Sequence, residues 1–157
     1  MKERSSDKRQ ALYKLADYLA RRDHSAQELR SKLLRKFTTD AVQWALKEAT
    51  EQGWMSPPEE LAERVALSLQ RKKKGAKYIQ RYLAEKGLPK VPVSTDSEKK
   101  NALTLLEEKF GPPSQLTYEE KQKAFNFLYR RGFEDVIIRH VLFSRESLET
   151  SNPEESL

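Results

Sequence analysis

Few side chains in this sequence could make or break covalent bonds. Its 157 residues include no cysteine and two histidines, which removes thiol nucleophiles, disulfides and cysteine-based metal sites together. His24 stands just before a serine that reads as a helix cap and contributes polarity at that helix start, whereas His140 falls on an apolar-faced stretch as a partly buried core histidine. Glu59-Glu60, Glu107-Glu108 and Glu119-Glu120 are adjacent pairs, and neighbouring positions diverge on a helix, so they do not converge on one substrate atom. Five scattered glycines form no phosphate-binding loop. No catalysis, no metal and no cofactor is expected.

The chemistry on offer is electrostatic. Between Arg64 and Lys90 nine bases face one acid, Glu85. Arg71, Lys72, Lys73, Lys74, Lys77, Arg81 and Lys86 make up the candidate binding stretch, within a chain whose net charge is only +6. Such local imbalance suits a nucleic acid or an acidic protein, and a lysine-rich solvated helix face is the plainer alternative. Lys77 and Arg81 are four apart, on one helix face. A helix starting after Gly75 would add free backbone N–H groups to a phosphate site. Tyr78 and Tyr82, also four apart, either stack on bases or pack the helix. Only Gln70 and Gln80 are at hand for base edges, so phosphate contact dominates. Neutralising about five phosphates would make log affinity fall with log salt at a slope of about −4.5.

The elements that must carry these residues are helical. Hydrophobic content of 37% and charged content of 34% suit thin helical layers sharing small cores, and the scarcity of aromatic and β-branched residues argues for an all-α fold. Ala11, Leu12, Leu15, Ala16 and Leu19 recur at helical spacing. Ser25 with Glu28, Ser56 with Glu59, and Thr117 with Glu120 read as capping boxes opening further helices. A helix over about 39–52 stops at Gly53, and Gly75 breaks the one begun near Ser56. The next ends at Gly87, after which prolines at 89 and 92 exclude a helix interior. A helix from near Asp96 or Ser97 ends at Gly111, and Gly132 closes the one capped by Thr117.

These elements repeat. Leu29, Ile79 and Ala124 share one position, and Leu33, Leu83 and Leu128 another. Lys86-Gly87-Leu88 and Arg131-Gly132-Phe133 are matching repeat ends, which adds Arg130 and Arg131 to the candidate binding residues. The expected organisation is a polar extension over 1–10, helical repeats over 11–54, 56–95 and 96–143, and an acidic tail over 144–157. The middle repeat is basic and its third helix shortened. The repeats are expected to form an elongated, curved array. With no long apolar run and a polar start, the chain is expected to be cytoplasmic and away from membranes.

Four segments resemble the RecX family of bacterial recombinase regulators. Arg22-Asp-His-Ser25-Ala-Gln-Glu28-Leu29-Arg-Ser-Lys32-Leu33 is similar to the family's Arg-x-x-Ser-x-x-Glu-Leu-x-x-Lys-Leu. Gly53-Trp54-Met55 stands for its Gly-aromatic-Leu. Lys74-Gly75 with Ile79, Leu83, Lys86 and Gly87 matches the second repeat, and Lys109-Phe110-Gly111 with Phe127 to Phe133 matches the third. Ser56-Pro57 replaces two acids common in the family, and the proline-rich 88–95 replaces a helix.

The resemblance implies tandem three-helix repeats and a non-enzymatic regulator of the RecA recombinase. That role belongs to homologous recombination, DNA repair and the SOS response. Such a protein lies in the groove of the RecA–DNA filament, inhibits ATP hydrolysis and strand exchange, and also binds single- and double-stranded DNA through phosphate contacts. A monomer is expected. The alternative from the residues alone is a stand-alone nucleic-acid-binding helical repeat protein.

Overall fold

The computed structural model describes residues 3–144, so the acidic tail lies, from Arg145 on, outside the described residues. Among these residues the chain is all-helical, apart from an isolated bridge between Ser5 and Phe37. Its helices are α1 (Lys8–Arg21), α2 (Ala26–Leu33), α3 (Thr39–Glu51), α4 (Pro58–Arg71), α5 (Ala76–Glu85), α6 (Thr95–Lys109), α7 (Tyr118–Arg130) and α8 (Asp135–Phe143), with a 3-10 turn at Pro113–Gln115. Three helices thus fall in the first and last repeats. The middle one has two, and residues 86–94 carry no helix. Among the described residues no helix is long and apolar enough to cross a membrane.

Two compact units divide the chain. Among the described residues the first comprises 3–64 and 83–90, the second 65–82 and 91–144. The division passes through α4 and α5, so neither unit is a set of whole repeats.

In the first unit α1 packs on α3 and both touch α2. Their apolar stripes close a core of Ala11, Leu15, Leu29, Leu33, Val42, Ala45 and Ala49. Small residues at 11, 45 and 49 let the helices approach closely, which suits a core this thin. Ser25 and Glu28 form the expected capping box at α2. Two local expectations change. Ser56 does not cap α4: that helix starts at Pro58, and the Ser56 hydroxyl accepts from the Arg64 guanidinium at 2.6 Å. The residues before Ala11 are not merely a polar extension, since Asp7 caps α1 and Ser5 exchanges backbone hydrogen bonds with Lys36 and Thr38.

His24, expected only to add polarity at a helix start, is buried between α1 and α2. Its Nδ1 lies 2.9 Å from the Arg22 carbonyl oxygen, which can only accept, so Nδ1 carries the proton. Nε2 then accepts from the Lys32 ammonium at 2.9 Å. Burial holds the imidazole below its ordinary range, the Arg22 and Lys32 charges act in the same sense, and the Arg22 carbonyl and Glu28 oppose them. The folded chain therefore binds fewer protons than the unfolded one from the lowered pKa up to about 6.5, and stability rises with pH across that window. The contribution is fully present above about pH 6.5 and is lost as pH falls toward the folded-state pKa. Melting temperature should drop between about pH 7 and pH 5.5 in the wild type. His24→Asn, which keeps a donor and an acceptor but does not titrate, should flatten that drop. An unchanged slope would remove His24 as its source.

The core of the second unit lies where α6 and α7 pack on α8, around Ala102, Leu106, Ala124, Leu128, Phe133, Ile137, Ile138, Val141 and Leu142. Thr117 and Glu120 form the second expected capping box. Ser94 caps α6, so that helix begins one residue before Asp96.

Candidate nucleic-acid interface

In the second unit three helix ends meet at a backbone crossing. Lys73 takes the left-handed turn after α4, with φ of 59°. Gly75 follows as the residue before α5, and its role is therefore not simply to stop a helix. A Cβ there would lie 2.2 Å from the carbonyl carbon of Gly132 and the nitrogen of Phe133. A Cβ on Gly132, with φ of 92°, would lie 2.5 Å from the Tyr78 Cβ and 2.6 Å from the Tyr78 nitrogen. The gap left by two absent side chains is bridged by Gly75 N–H donating to Arg131 O and Lys77 N–H donating to Gly132 O, both at 2.9 Å.

The α5 N-terminus is consequently occupied. Besides those two bonds, the Ala76 N–H donates to the Glu98 carboxylate from α6. Glu98 serves as the cap that Gly75, having no side chain, cannot supply. Burial raises its pKa, the Ala76 N–H pulls it down and the Glu134 charge adds to the rise. The expectation that the first N–H groups of α5 would bind a phosphate is thus overturned: protein acceptors already hold them.

The candidate cations divide into those that stay exposed and those used within the fold. Arg71, Lys72, Lys77, Arg81 and Arg130 are exposed. Lys77 lies 5.0 Å from the Tyr129 ring centroid, which places the α5 cations beside the end of α7 and its neighbour Arg130. Lys73 pairs with Glu108 at 3.9 Å, and Lys74 rests 4.8 Å from the Tyr78 ring centroid. Arg131 turns inward, with Nη2 donating to Lys72 O at 2.9 Å and Nε to Lys73 O at 3.4 Å. It closes carbonyls at the α4 C-terminus, where a cation also meets the negative end of the helix dipole. Lys86 belongs to the first unit and sits 3.6 Å from Glu28.

The fold also redirects two expected base-reading groups. Gln80 donates to and accepts from the Val91 backbone, pinning the proline-rich segment, so its amide is not presented to a ligand. Tyr78 and Tyr82 stack on each other with centroids 6.4 Å apart, both half-buried. Tyr129 was not singled out from the sequence, yet it is 53% exposed and flanked by cations. Only its place two residues before the Arg131-Gly132 repeat end could have marked it.

Of the structural positions, Leu29, Leu33, Ile79, Leu83 and Leu128 are fully buried, and Gly53 and Gly87 have φ near +70° at helix ends. Removing Arg131 should act on the fold. Arg131→Ala is expected to cost about 1–2 kcal/mol in denaturant unfolding of the second unit, by losing its hydrogen bonds to two carbonyls. Arg130→Ala should leave stability within about 0.5 kcal/mol and weaken DNA binding instead. Equal stability losses in the two variants would contradict this division.

Two family models match: "RecX, third three-helix domain" over residues 96–142 and "RecX, first three-helix domain" over 11–48. "Regulatory protein RecX" of Xanthomonas axonopodis pv. citri (strain 306) is 33% identical over 132 residues, covering 77% of this chain and 78% of its own. The protein of the same name from Stenotrophomonas maltophilia (strain K279a) is 29% identical over 128 residues, with the same coverage. The crystal structure of RecX from Lactobacillus salivarius superimposes with a TM-score of 0.73 at 18% identity, over 86% of this chain and 94% of that one. That likeness concerns the fold.

Proposed function

Since this chain belongs to the RecX family, we propose that it regulates the RecA recombinase by binding the RecA–DNA filament in its groove and restraining ATP hydrolysis and strand exchange. The observation that carries the reading beyond family membership is the exposed cluster of Arg71, Lys72, Lys77, Arg81 and Arg130 at the ends of α4, α5 and α7. Its charge suits phosphates, and without Gln80 it has little means of reading base edges. Binding is then insensitive to sequence, as a partner coating any DNA requires. Several modest contacts on one filament would sum through effective concentration.

The test is RecA ATPase on single-stranded DNA, titrated with the purified chain. Hydrolysis should fall as the chain approaches stoichiometry with the filament, and strand exchange should fall with it. Unchanged rates at equimolar chain would refute the proposal. The same cluster would also serve a protein that binds bare DNA alone. Gel shifts separate the two, since a filament regulator should prefer RecA-coated DNA to bare DNA.

A further inference from the structure

A cleft of about 220 Å3 opens beside α2 in the first unit and shares no residue with the surface just described. Four of its lining residues are cations, Arg22, Lys32, Arg35 and Lys86, against the two carboxylates Glu28 and Glu85.

Glu28 is already engaged. Its carboxylate accepts from the Ser25 N–H at 3.2 Å, lies 2.8 Å from the Arg22 guanidinium and 3.6 Å from the Lys86 ammonium. These partners outweigh its burial and hold its pKa below the usual range. Lys32 is held differently. Its ammonium donates to neutral His24 Nε2 and sits 5.0 Å from the Tyr18 ring centroid. A ring nitrogen and a π face compensate part of its lost hydration without cancelling its charge. Among the described residues no carboxylate lies within 4.0 Å of it.

A side chain so fixed keeps N–H groups for a further acceptor. Arg35 follows Lys32 at the next turn with its guanidinium exposed, and the exposed Ser31 adds a hydroxyl at the rim. Burial, then the charge of Arg22, with smaller contributions from Lys86 and Arg35, holds Lys32 below the usual lysine range, and Glu28 offsets this only in part. Gathering cations beyond their counter-charge is costly, and an anion relieves that cost.

We infer that this cleft is a second anion site, which takes a backbone phosphate of a nucleic-acid strand on Lys32 and Arg35. An ammonium, a guanidinium and a hydroxyl lining one cleft suit a group with several acceptor oxygens, and the open cleft admits a strand. The choice of a nucleic acid rests on the polyanion reading of the second unit. Each site contributes its own phosphate contacts, so loss of either weakens binding.

The experiment measures affinity for a fluorescent 30-nucleotide oligo-dT as a function of salt. It uses the full chain, Arg35→Gln, Lys32→Gln/Arg35→Gln, and a variant with charge reversed at Lys72, Lys77 and Arg81. The double variant should bind about tenfold more weakly and lose about 0.7 from the salt slope, the value for one phosphate contact on a single strand. Arg35→Gln alters only an exposed side chain, so the weaker binding expected of it does not depend on the packing of Lys32. Double and single variants that match wild type, while the reversed variant loses binding, would overturn the cleft and leave the second-unit surface standing. If none of the variants changes affinity, both fail. An unchanged oligo-dT affinity together with weaker binding of poly-glutamate by the double variant would also overturn the inference, in favour of an acidic protein.

Discussion

Reversing charge at Lys72, Lys77 and Arg81 is expected to weaken binding of bare duplex DNA on the order of a hundredfold at about 0.1 M salt, and to abolish the effect on RecA ATPase. All three side chains are exposed, and none donates a side-chain hydrogen bond within the described fold. Apart from the surface contact of Lys77 with the Tyr129 ring, reversal therefore acts on the partner rather than on packing. If each contacts one phosphate, the salt slope should shrink from about −4.5 to about −2, because about 0.9 is lost per contact. Repulsion by the new carboxylates lowers affinity beyond the lost attraction. The matched control reverses Lys8, Arg9 and Lys47, exposed residues of the first unit, which gives the same net charge. An equal loss in the control would mean that net charge alone drives binding. Unchanged ATPase inhibition in the test variant would remove this surface from the mechanism.

Gly75→Ala, at a buried turn, should be strongly destabilising, at about 3–5 kcal/mol. A new Cβ would sit 2.2 Å from two backbone atoms across the crossing, and neither belongs to a side chain that can swing away. Overpacking alone costs about 1–3 kcal/mol. Forcing the crossing apart also loosens the Gly75–Arg131 and Lys77–Gly132 hydrogen bonds, each of about 1 kcal/mol. For a domain stable by roughly 5–15 kcal/mol this is a large fraction. Both tryptophans, Trp44 and Trp54, lie in the first unit. In urea, far-UV circular dichroism should show an early transition that tryptophan fluorescence does not follow. Coincident, wild-type-like transitions would show that the two backbones are not in contact.

The parts of the fold that were legible in the sequence are those written within one turn of helix. Ser25 with Glu28 and Thr117 with Glu120 identify their helix starts because each box closes across three residues. Leu29, Leu33, Ile79, Leu83 and Leu128 could be assigned inward from spacing alone. Ser56 with Glu59 has the same pattern, and it failed because Pro57 and Pro58 shift the helix start and Arg64 takes the hydroxyl.

The candidate site was less legible, since what decides it is settled by partners distant in sequence. The run of bases is visible, but nothing near Arg131 shows that it serves carbonyls 58 and 59 residues away. Nor does anything near Ala76 show that its N–H is taken by a carboxylate 22 residues on. Gly75 and Gly132 look like two independent helix stops until the backbone brings them together. Local patterns therefore overstated how many cations and amides were open to a ligand.

That crossing also bears on the order in which the second unit assembles. The bonds from Arg131 to Lys72 and Lys73 close a loop of nearly sixty residues, whereas the α6, α7 and α8 core closes over much shorter separations. Loop-closure entropy favours the nearer contacts first. The crossing is then a late event, made after the folding barrier has been passed. Weakening it through Arg131→Ala should leave the refolding rate nearly unchanged and appear almost wholly as faster unfolding. The cationic surface would be the last part of the unit to take shape and the first to be lost.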